Sequence, residues 1–441
     1  MQGFHEVIAK KRDGGTLSPE EIQFWLEGYL WGRIPDYQTA ALLMAIYFRG
    51  LTRQEMTALA QGIANSGERL SLTDIPGVKA DLHITGPLGD KLAWLVGPIV
   101  AAGGLICAHV SHPNGLQHGV AAKLCALPGF QPITEPGLIR AQLRKEGLVI
   151  TGPGGNFAPG DKVLDALLED TATAGCAALL AAGIIGKKLA SGAQVLVINL
   201  GYAPSGSVAT PEEAKALAAL LVDLGACCGM KVSVVLSGLQ GPYGTVLGDA
   251  LEIQEAVAVL QGGGPDDLRR LSVALAGEVF FTAGRFPDRV TAYQEATNLL
   301  QQGAAGNRFA AMAAAQGGDL AALTGKNFAC APYNMAIQAP SDGYLSALNG
   351  GTSNLIARQH KTGQAVVGAT TGIALCKKIG DFIHKGETFA FAYGEDLAQT
   401  TEVGAELLRN CHWSQQPPHL LPLLYGVVDT AGFWAISPSK K

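Results

Sequence analysis

Apolar residues recur at spacings of three and four between Pro19 and Gly67, so the chain opens with amphipathic helices. Ser18 before PEEI supplies an N-cap, a proline at the first helical position and early carboxylates, and Phe24, Leu26, Tyr29 and Leu30 continue the apolar stripe. The pattern predicts a second helix from about Tyr37 to Phe48 and a third opening at Thr52. Beyond Asp81 the texture changes. LAWLVGPIVAAGGLICAHV, AQVLVINL and KVSVVLSG are apolar runs, and the last two have the length of buried parallel strands. Helical patterns over 164–189 and 211–224 lie among them, which argues for a βαβ sheet core. From about Ile337 onward strands alternate around a lysine-rich turn, KKIGDFIHKGE.

Composition narrows the function classes. Hydrophobic residues make up 48% of the 441 and charged ones 16%, which excludes a disordered chain. Lysine plus arginine is 32 against 37 acidic residues, a net charge of −5 that offers no excess for a nucleic-acid backbone. The mean hydropathy of +0.21 raises the question of a membrane, but no apolar stretch of spanning length runs free of glycine breaks and polar residues. The opening MQGFHEVIAKKRDGG has no apolar signal core, and the eight cysteines form no CxxC pair. A cytoplasmic, glycine-rich α/β protein with reduced thiols is the expectation.

Five segments carry a likeness to a known family. They are RDGGTLSPEEI with GRIPDYQTAALLMAIYFRGLT from Arg12, TGPGGNFAPGDK at 151–162, TATAGCAALLAAGIIGKKLASGA at 171–193, GDALEIQEAVAVLQG at 248–262 and GIALCKKIGDFIHKGE at 372–387. In that order they resemble the pyrimidine-nucleoside and thymidine phosphorylases over nearly the whole chain. The resemblance implies an α/β fold in which a small all-helical domain faces a larger α/β domain across a cleft, with a C-terminal α/β subdomain. The corresponding spans are 1–68 plus 163–190, 71–160 plus 194–330, and 337–441. It also implies a homodimer, built through the apolar PDYQTAALLMAIYF helices. The activity it implies is pentosyl transfer, splitting a pyrimidine nucleoside with inorganic phosphate.

The site residues implied by the resemblance are only partly present. The family's phosphate loop falls on Leu82 to Ala93, where Thr85, Gly86, Gly89 and Asp90 preserve the turn and Lys91 offers a substitute cation. Ser111 is kept in the next glycine-rich segment. The family lysine, however, falls on Leu82, two serines on Ile84 and Ala93, and a threonine on Val120. Those changes remove charge-assisted hydrogen bonds that a phosphate dianion needs, and Pro87 removes a backbone N–H as well. His83 falls on the family's candidate general acid near the base carbonyl, a task that suits a group titrating near neutrality. In the base pocket Leu168 replaces an arginine and Gly183 a serine, leaving Lys187. Glu255 falls on a glutamate that binds a monovalent cation, potassium, in some members. No GxxxxGK[ST] or HExxH motif occurs.

Two readings follow. One is a pentosyltransferase whose usual phosphorolysis is impaired or changed to another substrate, with a nucleoside-like molecule in the cleft. The other is a catalytically silent paralogue that binds a ligand or protein partner through the old cleft or dimer face. A phosphoribosyltransferase-like transfer is a third, but pyrophosphate would meet the same apolar replacements.

Overall fold

A computed structural model describes residues 3–86, 88–111, 119–152, 156–204, 206–324, 331–348 and 371–436, so Pro87 of the loop lies outside the described residues. Four helices come first: α1 (Phe4–Arg12), α2 (Pro19–Leu30), α3 (Asp36–Arg49) and α4 (Arg53–Asn65). Ser18 and Thr52 each cap a helix by accepting from the backbone N–H of Glu21 and Glu55, whose carboxylates return the bond. The Glu55 carboxylate also accepts from Lys11 Nζ at 2.7 Å and from the Leu17 N–H at 2.8 Å. Burial opposes its charge, but these donors prevail and hold the carboxyl below its ordinary value.

The chain continues through β1 (Lys79–Ile84), α5 (Ala93–Ala102), β2 (Ile106–Val110), α6 (Val120–Lys123), α7 (Pro136–Glu146) and β3 (Leu148–Thr151). It then forms α8 (Pro159–Asp170), α9 (Ala177–Ala190), β4 (Val195–Tyr202), α10 (Pro211–Cys227) and β5 (Lys231–Gly238). The helical run expected over 164–189 is thus divided. Ala172 takes a left-handed φ of 55° and the Thr171 and Thr173 hydroxyls bond each other at 2.7 Å, which ends the helical ladder between α8 and α9. Helix α9 then packs closely on α4. A Cβ on Gly186 would lie 2.8 Å from the Ala60 carbonyl oxygen, so only glycine permits this approach.

β1 to β5 pair in parallel, and both faces of their sheet are covered. Leu196, Ile198 and Leu200 of β4 and Val232, Val234 and Leu236 of β5 join the apolar cluster of α9, α10 and the N-terminal helices. Val195, Val197 and Val235 point the other way, toward α5, α11 (Asp249–Leu260), α12 (Asp266–Thr282), α13 (Arg289–Gln301) and α14 (Ala304–Ala315). The period of two within a continuous apolar run is what a doubly covered strand requires.

The C-terminal region contributes β7 (Tyr333–Gln338), β8 (Gly343–Leu348), β9 (Gly372–Leu375), β10 (Phe382–Ile383), β11 (Thr388–Gly394) and β12 (Cys411–Ser414). With β6 (Val246–Leu247) they form two small sheets, ordered β6-β9-β11-β7 and β10-β8-β12. The span 337–441 does not stay apart from the central sheet, however. Its last described strands, β13 (Gly426–Asp429) and β14 (Gly432–Ala435), extend that sheet to the order β14-β13-β5-β4-β1-β2-β3. An uncovered β5 edge would leave a row of unpaired backbone groups. β13 pairs with it antiparallel, and Val427 and Val428 each enter one of the two flanking cores. Conversely, β6 lies within the span expected for the large domain yet pairs with β9. Among the described residues no helix is long and apolar enough to cross a membrane.

The buried Lys11–Glu55 pair joins α1 to the start of α4. Replacing Lys11 by Met leaves a buried carboxylate without its counter-ion, and the expected loss is about 3–5 kcal/mol. A urea midpoint within experimental error of the parent's would contradict that assignment.

Candidate active site

The strand order places β4 on one side of β1 and β2 on the other. In an open α/β sheet such a reversal leaves a crevice outside the carboxyl ends of the strands. Here a cleft of about 1590 Å³ occupies that position. One wall is built from His83 and Ile84 at the end of β1, Thr85 and Gly86 after it, His109 of β2, Ser111 just beyond it, and the turn after β4. The other is built from α8 and α9 and carries Asp161, Asp165, Glu169, Gly183, Lys187 and Lys188.

A buried ionic chain reaches the cleft through His109 and Lys188. Asp81 in β1 accepts from Lys188 Nζ of α9 at 2.7 Å, sits 2.8 Å from Nδ1 of His109 in β2, and accepts from the Leu82 N–H at 2.7 Å. Asp81, Lys188 and His109 are 1%, 2% and 5% exposed. Burial alone would raise the Asp81 carboxyl, but Lys188 and His109 hold it below its ordinary value. Burial, aided by Lys188, pushes His109 down against the pull of Asp81, which favours the neutral ring. None of the three was singled out from sequence. The available signal was charged residues inside apolar runs, where unpaired charges are not tolerated.

The expected site residues divide into those that face the cleft and those that do not. His83 lines it, half-buried at the end of β1. Thr85 also lines it, but its hydroxyl donates to the Asn199 carbonyl at 3.1 Å and accepts from the Gly201 N–H at 2.9 Å. It staples the loop to β4 and is not a free phosphate donor. Gly86 has a φ of 86°, and a Cβ on Gly89 would meet the Tyr243 ring at 2.7 Å, so both glycines serve loop shape. Asp90 binds Lys123 at 2.9 Å, which also reaches Glu252 at 3.1 Å. Burial and the nearby Glu252 raise the Asp90 carboxyl in spite of that lysine. Ser111 is buried and lines the cleft. Lys187 lies 3.1 Å from the Asp161 carboxylate.

Two of the expected residues are engaged inside the protein. Lys91 does not swing into the cleft as a cation: it is 1% exposed and donates to Glu255 at 2.8 Å and to the Val246 carbonyl at 2.7 Å. Glu255 in turn does not present a vacant carboxylate to a metal ion. Its other oxygen accepts from the Thr245 N–H and hydroxyl, both at 2.7 Å. The ammonium of Lys91 supplies the counter-charge internally. Among the described residues no group of three or more His, Cys, Asp or Glu could hold a metal.

The apolar replacements are real features of the fold. Leu82 is fully buried in the core under the sheet, while Ile84, Ala93, Val120 and Leu168 line the cleft. Electrostatics point the same way. Asp161, Asp165 and Glu169 recur every four residues along α8, so they form one acidic ridge on the cleft wall. Asp165 is raised by burial and by Asp161 and Glu169, although Lys187 opposes them. Lys187 of the same wall offsets one of the three charges by pairing with Asp161.

Comparison with known proteins agrees with the architecture. Residues 5–67 match the helical bundle domain of the glycosyl transferase family. The chain is 35% identical over 436 residues to a pyrimidine-nucleoside phosphorylase of Geobacillus stearothermophilus, covering 96% of this chain and 99% of that protein. A pyrimidine-nucleoside phosphorylase of Staphylococcus epidermidis is 35% identical over 390 residues, 87% of this chain and 90% of that one. Among solved structures, anthranilate phosphoribosyltransferase from Thermus thermophilus shares the fold with a TM-score of 0.56 and 17% identity, over 70% of this chain and 98% of that one.

Lys91→Met should strand the buried Glu255 carboxylate, lower stability by about 3–5 kcal/mol and make thermal unfolding sensitive to added potassium. The parent protein should melt at the same temperature in potassium, sodium or choline chloride of equal ionic strength. Potassium-specific stabilisation of the parent would restore the metal assignment.

Proposed function

Because the chain belongs to the pyrimidine-nucleoside phosphorylase family, we propose that its cleft takes a nucleoside-like molecule and that phosphorolysis of thymidine or uridine is impaired. The observation that carries this reading is the commitment of the cleft's cations. Among the described lining residues the lysines are Lys187 and Lys188, and each is paired with a buried carboxylate, Asp161 or Asp81. Neither ammonium is left for phosphate without abandoning its partner. A hydrogen bond to a charged group contributes about 1.5–3 kcal/mol, so losing two removes roughly 3–6 kcal/mol, or about 10²–10⁴ in rate or affinity.

A catalytically silent member is the second reading. The apolar surface of Ile84, Ala93 and Val120 favours it, since that surface accepts an uncharged ligand without any reaction. We also propose a cytoplasmic homodimer formed through the helical domain. Trp31, Tyr37 and Phe48 are 75%, 73% and 74% exposed, and Met44 and Tyr47 are exposed beside them in sequence, more apolar surface than a solvated bundle face needs.

Release of thymine or uracil in millimolar phosphate at neutral pH should fall at least a hundredfold below that of an active relative assayed alongside. Turnover within a factor of ten of the relative would refute impaired phosphorolysis. Light scattering at micromolar concentration should give twice the chain mass of 45.7 kDa, and a monomer would refute the dimer.

A further inference from the structure

We infer that His109 is a general base of this cleft and that it activates water, so that the site hydrolyses the N-glycosidic bond of a nucleoside-like substrate. The inference rests on the nucleoside-like reading above and adds the identity of the nucleophile. Its foundation is the geometry around the ring. Asp81 lies 2.8 Å from Nδ1, which puts the ring proton there and leaves the lone pair on Nε2. His109 lines the cleft, two residues before Ser111 on the same wall, so Nε2 is the nitrogen available to a molecule bound there. Lys188 holds the far side of the Asp81 carboxylate at 2.7 Å and fixes its orientation. The charged groups acting on the ring are Asp81 from β1 and Lys188 from α9, and their balance with burial favours the neutral ring.

The rest of the cleft discriminates between nucleophiles. Phosphate requires uncommitted cations, and both lysines are engaged. Water requires only a proton acceptor. The α8 carboxylates Asp165 and Glu169, which Lys187 does not pair, disfavour a dianion but favour the positive charge that develops on a pentose as its glycosidic bond breaks. In the step, Nε2 of His109 takes a proton from water while the water oxygen bonds to the anomeric carbon. The carbon–nitrogen bond breaks with its electron pair leaving on the base, and the proton held by His109 passes to that base. The products are a free pentose and a free base, and no co-reactant other than water is consumed.

The test uses the intact protein with uridine, thymidine, cytidine and inosine in phosphate-free buffer, reading free base and free pentose by chromatography. Base and pentose should appear in equal amounts from at least one nucleoside, at a rate unchanged by millimolar phosphate. His109→Asn keeps a donor for Asp81 but has no basic nitrogen to take a proton, and should lower kcat/KM by about 10²-fold or more with the circular dichroism spectrum unchanged. His109→Ala should regain activity with added imidazole. Asp81 is a positioning residue: Asp81→Asn removes the anion that raises His109, so the acid limb of the kcat/KM profile should move to lower pH. Nucleoside-dependent thermal stabilisation without any base release would overturn hydrolysis and leave the ligand reading standing. Absence of both would overturn the two together. Pentose 1-phosphate formed only when phosphate is present, or full activity in His109→Asn, would overturn the inference.

Discussion

A single buried carboxylate, that of Asp81, ties together the parts of the molecule that make the cleft. It sits in β1, an inner strand of the sheet with helices on both faces, where an unpaired charge would be strongly destabilising. Three donors from three segments satisfy it: the neighbouring Leu82 N–H, His109 from β2 and Lys188 from α9. Meeting the requirement of one charge therefore fixes how β1, β2 and α9 sit relative to one another. It also sets the wall opposite. Successive helical residues project about 100° apart, so with Lys188 turned to Asp81 its neighbour Lys187 is turned to α8 and Asp161.

The same rule recurs through the interior. Lys11 with Glu55, Lys91 with Glu255, and Lys123 with Asp90 and Glu252 are buried or nearly buried pairs between elements distant in sequence. Such pairs are weak evidence for stability, because desolvation offsets much of the attraction, but breaking one is costly. They specify which helix meets which strand. Their functional consequence is that positive charge is directed to internal carboxylates. A site for a phosphate dianion needs the opposite arrangement, with cations held in place yet unneutralised. This cleft instead combines a buried imidazole beside Asp81 with a carboxylate-lined helix.

Much of the scaffold was legible along the chain because it is local. Ser18 and Thr52 cap their helices through residues three positions away, and β4 and β5 announce themselves as short apolar runs. The break between α8 and α9 was missed because one residue at positive φ leaves little trace in an otherwise apolar, alanine-rich pattern. The return of β13 to the central sheet was missed because strand pairing depends on which edge remains uncovered, and that is a property of the assembled sheet.

For the site, sequence alone determined which side chains are apolar: the side chain of a leucine, an isoleucine or a valine offers phosphate no hydrogen bond in any fold. Tertiary structure decided where the remaining polar groups point. Lys91 and Thr85 lie in the loop by sequence, yet one is drawn under it by Glu255 and the other is bound to β4. Asp81, His109 and Lys188 are far apart along the chain and come together only when the sheet closes against α9. A residue's type sets what it can donate or accept, but its partner is chosen by burial, and burial is a property of the whole fold.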